Sequence, residues 1–112
     1  MNANAANWPL WRGQVVLADM GLPEPKLFVV VSNNRRNRAF DNVLCARITT
    51  TLKSPIPSMV PIGSDEQIVG TVVCDDLYVI YQEEVLRRRG ALSTRTMWAV
   101  NLGLAEALGL GE

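Results

Sequence analysis

The sequence contains no histidine and only two cysteines. The lack of histidine excludes nucleophile pairs of the Ser–His and Cys–His kind, together with acid–base catalysis by paired imidazoles. Structural zinc sites need about four clustered Cys or His ligands, so the two distant cysteines do not predict a metal site. We expect no metal and no cofactor, and any chemistry must be carried by carboxylates, hydroxyls, lysine or arginine.

Cys45 and Cys74 each lie inside an apolar run. In a reducing cytosol such residues pack as small buried hydrophobes rather than forming a disulfide. No apolar stretch approaches the roughly 20 residues needed to cross a bilayer. The first residues, MNANAANWPLW, lack the basic start and apolar centre of a signal peptide. We therefore expect residues 1–10 to be a flexible leader, residues 11–112 to be one domain, and the protein to be cytoplasmic and not membrane-bound.

The net charge is zero, which argues against a protein that coats nucleic acid indiscriminately. The charges are nevertheless segregated along the chain. Residues 33–53 contain five cations and one acid, whereas residues 64–84 contain six acids and no cation. Such segregation allows a local basic patch that attracts phosphate. The alternative is that the two segments pair in space as a solvated charged surface.

Five segments have the apolar and β-branched character of strands, and they cover residues 12–19, 27–32, 43–50, 59–62 and 69–81. The run at 27–32 is typical of a strand covered on both faces. Pro61 requires an edge or a bulge in the fourth strand, and the fifth is expected to bend near residues 74–76. Residues 33–42, NNRRNRAFDN, are predicted to form a polar loop.

The end of the chain has a different pattern. Ser93 or Thr94 is a suitable helix N-cap, and Gly109 and Gly111 are natural stops. Between them, apolar residues recur at three- and four-residue spacing, at positions Met97, Val100, Leu104 and Leu108. Short strands followed by one helix predict a mainly β protein, a small curled antiparallel sheet with the helix on its side.

In order and spacing, five segments resemble the MazF/PemK-type toxins of bacterial toxin–antitoxin pairs, from about residue 11 to residue 110. They are RGQVVLAD, KLFVVVSNN, ARITTTLKSPIPSMVPI, VVCDDLYVI and GALSTRTMWAVNLGLAEALGL. The resemblance implies an SH3-like small β-barrel with a C-terminal α-helix. It also implies a metal-independent, sequence-specific endoribonuclease that cleaves single-stranded RNA and leaves 2′,3′-cyclic phosphate and 5′-hydroxyl ends. Such toxins are homodimers that a small antitoxin with an acidic C-terminal tail neutralises.

Two family positions are thought to carry the chemistry, the threonine of the PIT motif and the arginine of an RP motif. Thr49 matches the threonine, whereas Lys26 stands in place of the arginine. Arg47 replaces the proline of PIT. Alternation along a strand places Arg47 on the same face as Thr49, where it would supply the forked phosphate donor that lysine lacks. The alternatives are a strand-end threonine chosen for β-propensity, an exposed loop lysine, and a surface arginine paired with Asp75 or Asp76.

Further residues are candidates for contact with RNA. Asp76 stands where many members have glutamine, and a carboxylate would accept from a base amino group. Glu24 lies in a short loop where the family has a glutamate. The hydroxyl cluster and the polar loop complete the set, which is Glu24, Asn33, Asn34, Arg35, Arg36, Thr50, Thr51, Lys53 and Asp76. Residues 87–89, three arginines, are interpreted as surface rather than site.

Two rival functions are left open. A CcdB-like gyrase poison shares this fold and binds its target through the C-terminal helix, where Trp98 lies. A catalytically weak RNA-binding relative is the other, because Lys26 departs from the family arginine. Cleavage of a long RNA in EDTA separates the nuclease from both.

Overall fold

A computed structural model describes residues 8–51 and 56–112. It contains six strands, two α-helices and a short 3₁₀ turn at Gln82–Glu84. The strands are β1 (Gln14–Ala18), β2 (Lys26–Val30), β3 (Asn42–Thr49), β4 (Met59–Pro61), β5 (Thr71–Tyr81) and β6 (Val85–Ala91). The helices are α1 (Asn34–Ala39) and α2 (Thr94–Leu108).

The six strands form one antiparallel sheet in the order β4-β5-β3-β2-β1-β6. This confirms the predicted fold class of a mainly antiparallel β protein with a C-terminal helix. The sheet is not closed, because β4 and β6 are its edges. Pro61 lies in the edge strand β4, as predicted, where a missing N–H costs no ladder hydrogen bond to an inner neighbour.

Alternating residues of the central strands enter two separate cores. On β2, Val29 packs in the cluster that contains Met97 and Val100 of α2. Its neighbours Phe28 and Val30 pack in the opposite cluster. All three β2 residues have no exposed surface. The prediction that this run is covered on both faces is therefore confirmed.

Helix α2 begins and ends as its sequence predicts. The Ser93 side chain accepts a hydrogen bond from the backbone N–H of Thr96 at 3.1 Å. At the other end Gly109 takes the left-handed conformation with φ of 69°. No helix in the described part of the chain has the length and apolarity of a membrane span.

The predicted polar loop at 33–42 is wrong in part, since α1 occupies its centre. Asn33 caps α1 by accepting from the backbone N–H of Arg36 at 2.8 Å. Asn37 is fully buried and donates through its side-chain amide to the carbonyl of Ser32 at 3.0 Å. Arg favours helices, but a helix of six residues is marginal by itself, and this tertiary hydrogen bonding stabilises it.

Strand β6 was not predicted. Six of its seven residues are exposed, so it has neither an apolar run nor alternation to reveal it. It forms by pairing with β1, for example Leu17 with Arg87. The three arginines at 87–89 thus lie on an edge strand, where charged side chains discourage pairing with other chains.

The predicted leader lies mainly outside the described residues, but its end belongs to the folded domain. Leu10 is only 2% exposed and packs in a core cluster. The Trp8 indole N–H donates to the carbonyl of Phe40 at 3.0 Å. The packed domain therefore begins before residue 11.

The predicted bend in the fifth segment is present and shapes the site. Ala46 of β3 is opposite Leu77, whereas its neighbour Arg47 is opposite Val73. The shift leaves residues 74–76 as a bulge on β5. A bulge of this kind bends its strand and re-aims side chains. Here it brings Asp76 next to Arg47.

Candidate active site

The start of β2 and the end of β3 meet at one end of the sheet. Leu27 is opposite Ile48, so the next residues outward, Lys26 and Thr49, are neighbours across the strands. Together with Arg47 they line a cavity of about 220 Å³, which we call the cationic cavity. The other described residues that line it are Leu17, Pro25, Leu27, Ile48, Thr50 and Thr51. The structure thus brings together all three residues predicted to be catalytic.

Thr49 is 5% exposed, and its hydroxyl oxygen has a defined role in the local turn. It accepts a hydrogen bond from the backbone N–H of Thr51 at 3.1 Å. Turns of this kind are common where a Ser or Thr follows a strand. Because the oxygen accepts from the backbone, the hydroxyl hydrogen remains available to donate to a ligand. Thr49 therefore supplies one neutral donor at a fixed place.

Arg47 lies on the β3 face that also carries Thr49, as strand alternation predicts, and it has an acidic partner. Its Nη1 atom is 3.5 Å from Oδ2 of Asp76, and the two side chains are 29% and 36% exposed. The predicted alternative of pairing with Asp76 is therefore observed. Asp75, the other acid considered, instead accepts from the Ser58 hydroxyl at 2.6 Å.

The guanidinium of Arg47 is only partly satisfied. Its Nε atom is buried and has no hydrogen-bond acceptor among the described residues. A buried donor without a partner costs roughly 1–3 kcal/mol. Such groups in native proteins require an explanation, and a bound anion is one that suits an arginine.

Tyr78 completes the cluster around Arg47. Burial, followed by the neighbouring Asp76 carboxylate, raises the pKa of the Tyr78 phenol, and the Arg47 guanidinium offsets this only in part. The Tyr78 ring packs edge-on against Phe28 with 5.1 Å between centroids. Asp76 and Tyr78 together hold the end of Arg47 from the β5 side.

The far side of the threonine cluster borders a second cavity. It measures about 400 Å³ and lies between residues 49–51 and the loop formed by residues 62–70. We call these the neutral cavity and the 62–70 loop. Gly70 ends the loop with φ of +140°, and a Cβ atom there would lie 2.7 Å from the Thr49 carbonyl oxygen. Only glycine allows this loop to approach Thr49 so closely.

The 62–70 loop is also fixed at its middle. One carboxylate oxygen of Glu66 accepts from the backbone N–H of Ser93 at 2.6 Å, and the other accepts from the Thr96 hydroxyl. Burial acts to raise the pKa of Glu66, but hydrogen bonds from Thr96 and Ser93 outweigh it and leave the pKa below its usual value. Glu66 thus attaches the loop to the start of α2 as a carboxylate.

The four candidates at residues 33–36 lie elsewhere. Helix α1 follows the opposite end of β2, beyond Val30, which is about 13 Å from Lys26 at 3.3 Å per residue. The side-chain oxygen of Asn34 accepts from the backbone N–H of Arg12 at 2.7 Å. Arg36 donates to the Asn42 backbone and side chain, at 3.0 and 2.6 Å.

Asn33 is engaged in the same way, as the cap of α1. Arg35 is exposed. Neither is brought near the cationic cavity. Asn33, Asn34 and Arg36 therefore have structural partners, and the structure does not place this group at the site.

The remaining candidates divide between three places. Thr50 and Thr51 are exposed and border both cavities. Glu24 is exposed in the turn before Pro25, which lines the cationic cavity. Asp76 faces Arg47 rather than open space. Lys53 falls outside the described residues.

Sequence reasoning missed two residues that shape the site. Glu66 gave no signal, because its partners are about 30 positions away along the chain. Tyr78 had a weak one, since it lies two residues after Asp76 and so on the same face of a strand. In the described ranges, no group of three or more His, Cys, Asp or Glu residues is placed to hold a metal ion.

Comparison with known proteins places these features in a family context. The family model described as "PemK-like, MazF-like toxin of type II toxin-antitoxin system" matches residues 11–108. Endoribonuclease MazF4 of Mycobacterium tuberculosis H37Rv is 38% identical over 104 residues, which cover 93% of this chain and 96% of that protein. Endoribonuclease MazF1 of Mycobacterium bovis is similar to the same extent.

Solved structures give the same result. An endoribonuclease from a mycobacterial species, in complex with its cognate antitoxin, matches with a TM-score of 0.87 and 36% identity. That match covers 93% of this chain and 99% of the other. MazF from Deinococcus radiodurans matches with a TM-score of 0.78 but 15% identity, over 92% and 99% of the two chains. At that identity the likeness concerns the fold alone.

Proposed function

The chain belongs to the PemK-like, MazF-like toxin family of type II toxin–antitoxin systems, and from that premise we propose that it is the RNA-cleaving toxin of such a module. Its active site is the cationic cavity. The observation that carries this assignment is the convergence of Lys26, Arg47 and Thr49 on one cavity at the end of β2 and β3. Two cations and a hydroxyl suit an RNA phosphate.

The proposed reaction uses the RNA's own sugar as the nucleophile. The ribose 2′-oxygen attacks the adjacent phosphorus, its proton passes to solvent, and the bond from phosphorus to the 5′-oxygen breaks. The products are a 2′,3′-cyclic phosphate and a 5′-hydroxyl. The protein's task is to hold the nucleotide in line and to offset the negative charge that develops on the phosphate oxygens.

Each of the three side chains has a distinct part in this scheme. Arg47, whose side chain is 29% exposed, presents the accessible part of its guanidinium to the phosphate oxygens. Thr49 donates its hydroxyl hydrogen to a non-bridging phosphate oxygen from its fixed position. Lys26 adds positive charge beside the phosphate and the departing 5′-oxygen, which takes its proton from solvent. Nothing in this sequence of steps requires histidine.

The partners follow from the same site. A small antitoxin with an acidic C-terminal tail is proposed to cover the cationic cavity and so compete with single-stranded RNA, in the cytoplasm. The solved relative with its cognate antitoxin supports a protein inhibitor. A homodimer is proposed as the active form. Exposed apolar residues on one surface support it, since Leu77, Val79 and Leu108 line an apolar cavity there.

Incubation of the purified protein with a long RNA in EDTA tests the proposal. We expect discrete fragments that end in cyclic phosphate, and a fall of about 10²–10³-fold in cleavage rate for Thr49→Val, the effect of losing one preorganised donor. Thr94→Val, at the exposed start of α2, is the matched control and should cleave normally. Intact RNA after long exposure, or normal cleavage by Thr49→Val, would contradict the assignment.

One observation favours a second candidate, a gyrase poison on the same fold. Trp98 and Leu102 are 67% and 63% exposed on the outer side of α2, the element through which such a poison binds. Intact RNA together with inhibited DNA supercoiling would support it. RNA binding without cleavage would instead support a catalytically weak relative.

A further inference from the structure

The two cavities share one wall, the threonine cluster of residues 49–51. An RNA strand whose scissile phosphate lies in the cationic cavity reaches the neutral cavity by crossing this wall. The neutral cavity begins on its other side, bounded by the 62–70 loop and Thr71. Its volume of about 400 Å³ lies within the range of roughly 300–1,000 Å³ found for small-ligand pockets.

The chemistry of the two cavities differs. The cationic cavity contains Lys26 and Arg47, which match a phosphate. Among the described residues that line the neutral cavity, Glu66 is the one ionisable group. Its carboxylate oxygens already accept from Ser93 and Thr96. The described lining of the neutral cavity therefore offers no cation to a phosphate and suits an uncharged group.

The lining of the neutral cavity matches a nucleobase in particular. Ile62 and Ile68 give apolar surface against which a flat ring packs. Thr50, Ser64 and Thr71 add hydroxyls that both donate and accept hydrogen bonds. A base needs both kinds of contact, because its faces are apolar and its edges are polar.

We propose that the neutral cavity is the subsite for the base of one nucleotide next to the scissile phosphate, and that Glu66 is a positioning residue that holds its outer wall. The inference rests on the proposed RNA cleavage and adds to it the part of the site that reads sequence. Glu66 does not touch the RNA. It acts by fixing the 62–70 loop to the start of α2.

Three contacts make this wall rigid. The Ile62 backbone N–H donates to the Gly70 carbonyl at 3.0 Å and closes the base of the loop. Gly70 lies directly against the Thr49 backbone. Glu66 holds the middle of the loop through Ser93 and Thr96. Removal of the Glu66 contacts leaves the loop attached at its base and through Ile68, which is buried in the core. The segment between Gly63 and Ile68 loses its contact with α2, so the effect falls on the cavity and not on the phosphate contacts.

The experiment first maps the cut on a long RNA and then measures binding. Short oligonucleotides centred on the cut carry a 2′-deoxyribose in place of the attacking ribose, so that they bind without being cleaved. One is otherwise intact, and two others lack the base on the 5′ or the 3′ side of the bond. Dissociation constants are measured by fluorescence anisotropy for the full-length protein.

For the wild-type protein, we expect that removing the base on one of the two sides weakens binding by roughly tenfold, as for the loss of one stacked base. Glu66→Ala should weaken binding of the intact oligonucleotide by a similar factor, yet bind that abasic oligonucleotide as the wild type does. Glu66→Gln should be intermediate, because its amide oxygen still accepts from Ser93. Glu106→Ala, an exposed acid on α2, is the control and should not differ from the wild type.

A second variant does not depend on Glu66. Ser64 is exposed in the 62–70 loop, so Ser64→Trp should fill the cavity without disturbing the core, and it should reproduce the binding pattern of Glu66→Ala. Thermal unfolding of each variant is measured in parallel. If base removal on both sides leaves binding unchanged, the inference is wrong. It is also wrong if Glu66→Ala weakens the intact and abasic oligonucleotides equally. Cleavage would persist in both cases, whereas the absence of any cut would overturn the proposed function itself.

Discussion

Replacing Arg47 by methionine should reduce activity without reducing stability. Methionine keeps much of the apolar stem and removes the guanidinium. The ion pair with Asp76 is lost, but at 3.5 Å and with side chains 29% and 36% exposed it contributes about 0.2–1 kcal/mol. Asp76 remains hydrated after the change. The buried Nε without an acceptor is also removed, which recovers roughly 1–3 kcal/mol.

The two contributions have opposite signs, and the second is the larger. We therefore expect the free energy of unfolding of Arg47→Met to equal that of the wild type or to exceed it by up to about 3 kcal/mol, the difference of those ranges. A group that costs stability and is nonetheless present is consistent with a role in binding. Chemical denaturation of the two proteins measures this difference.

The same substitution should weaken RNA binding and slow RNA cleavage. Loss of one phosphate contact should lower the slope of log binding constant against log salt by about 0.7, the value for single-stranded nucleic acid. The cleavage rate should fall by about 10²-fold or more. Arg95→Met, an exposed arginine at the start of α2, is the control. A stable, folded Arg47→Met protein with unchanged cleavage and an unchanged salt slope would refute the reasoning.

Three further outcomes are expected. Lys26→Arg should raise the cleavage rate by about tenfold, since a forked donor adds one charge-assisted hydrogen bond of roughly 1.5 kcal/mol. Lys26→Met should lower the rate, and faster cleavage by Lys26→Met than by Lys26→Arg would contradict this reasoning. Gly103→Ala should lower the free energy of unfolding, measured by chemical denaturation, by about 1 kcal/mol. The new Cβ would lie 2.8 Å from Cys74 Sγ and 2.9 Å from Val60 Cγ2. The cost of this overpacking exceeds the gain in helix propensity from glycine to alanine. Because the pKa of Glu66 is lower in the folded protein than its ordinary value of 4.5, the carboxylate stabilises the fold at any pH above 4.5. That stabilisation is lost as the pH falls through the pKa of the folded state. Glu66→Gln should therefore lose less stability in acid than the wild type does. An acid unfolding curve as steep as that of the wild type would contradict this last expectation.

The elements that the sequence predicted well are those with strong local signals. Helix α2 has an N-cap at Ser93, a four-turn apolar face and a left-handed glycine at its end, all of which act within a few residues. The central strands carry β-branched runs that need no long-range information. The bend in β5 was also predictable, because two acids interrupt an otherwise apolar strand at Asp75 and Asp76.

The elements that it did not predict depend on distant partners. Helix α1 is only six residues long, too short to be stable by itself, and is held by the buried hydrogen bonds of Asn37. Strand β6 exposes most of its residues and exists because β1 offers it an edge. Leu10 was assigned to the leader because the residues that bury it lie in strands farther along the chain.

The sequence by itself determined the class of the fold and the identity of three candidate catalytic residues. Local periodicity decides the first. A family pattern carried by short segments identified Thr49 and Lys26, and alternation along the strand added Arg47. Only the tertiary structure decided which residues share a cavity. It joined Arg47 to Asp76 through a bulge, moved the group at residues 33–36 to the other end of the sheet, and brought Glu66 to the start of α2. The physical reason is that strand register and chain reversal set such distances, and neither leaves a mark in the spacing of residues along the chain.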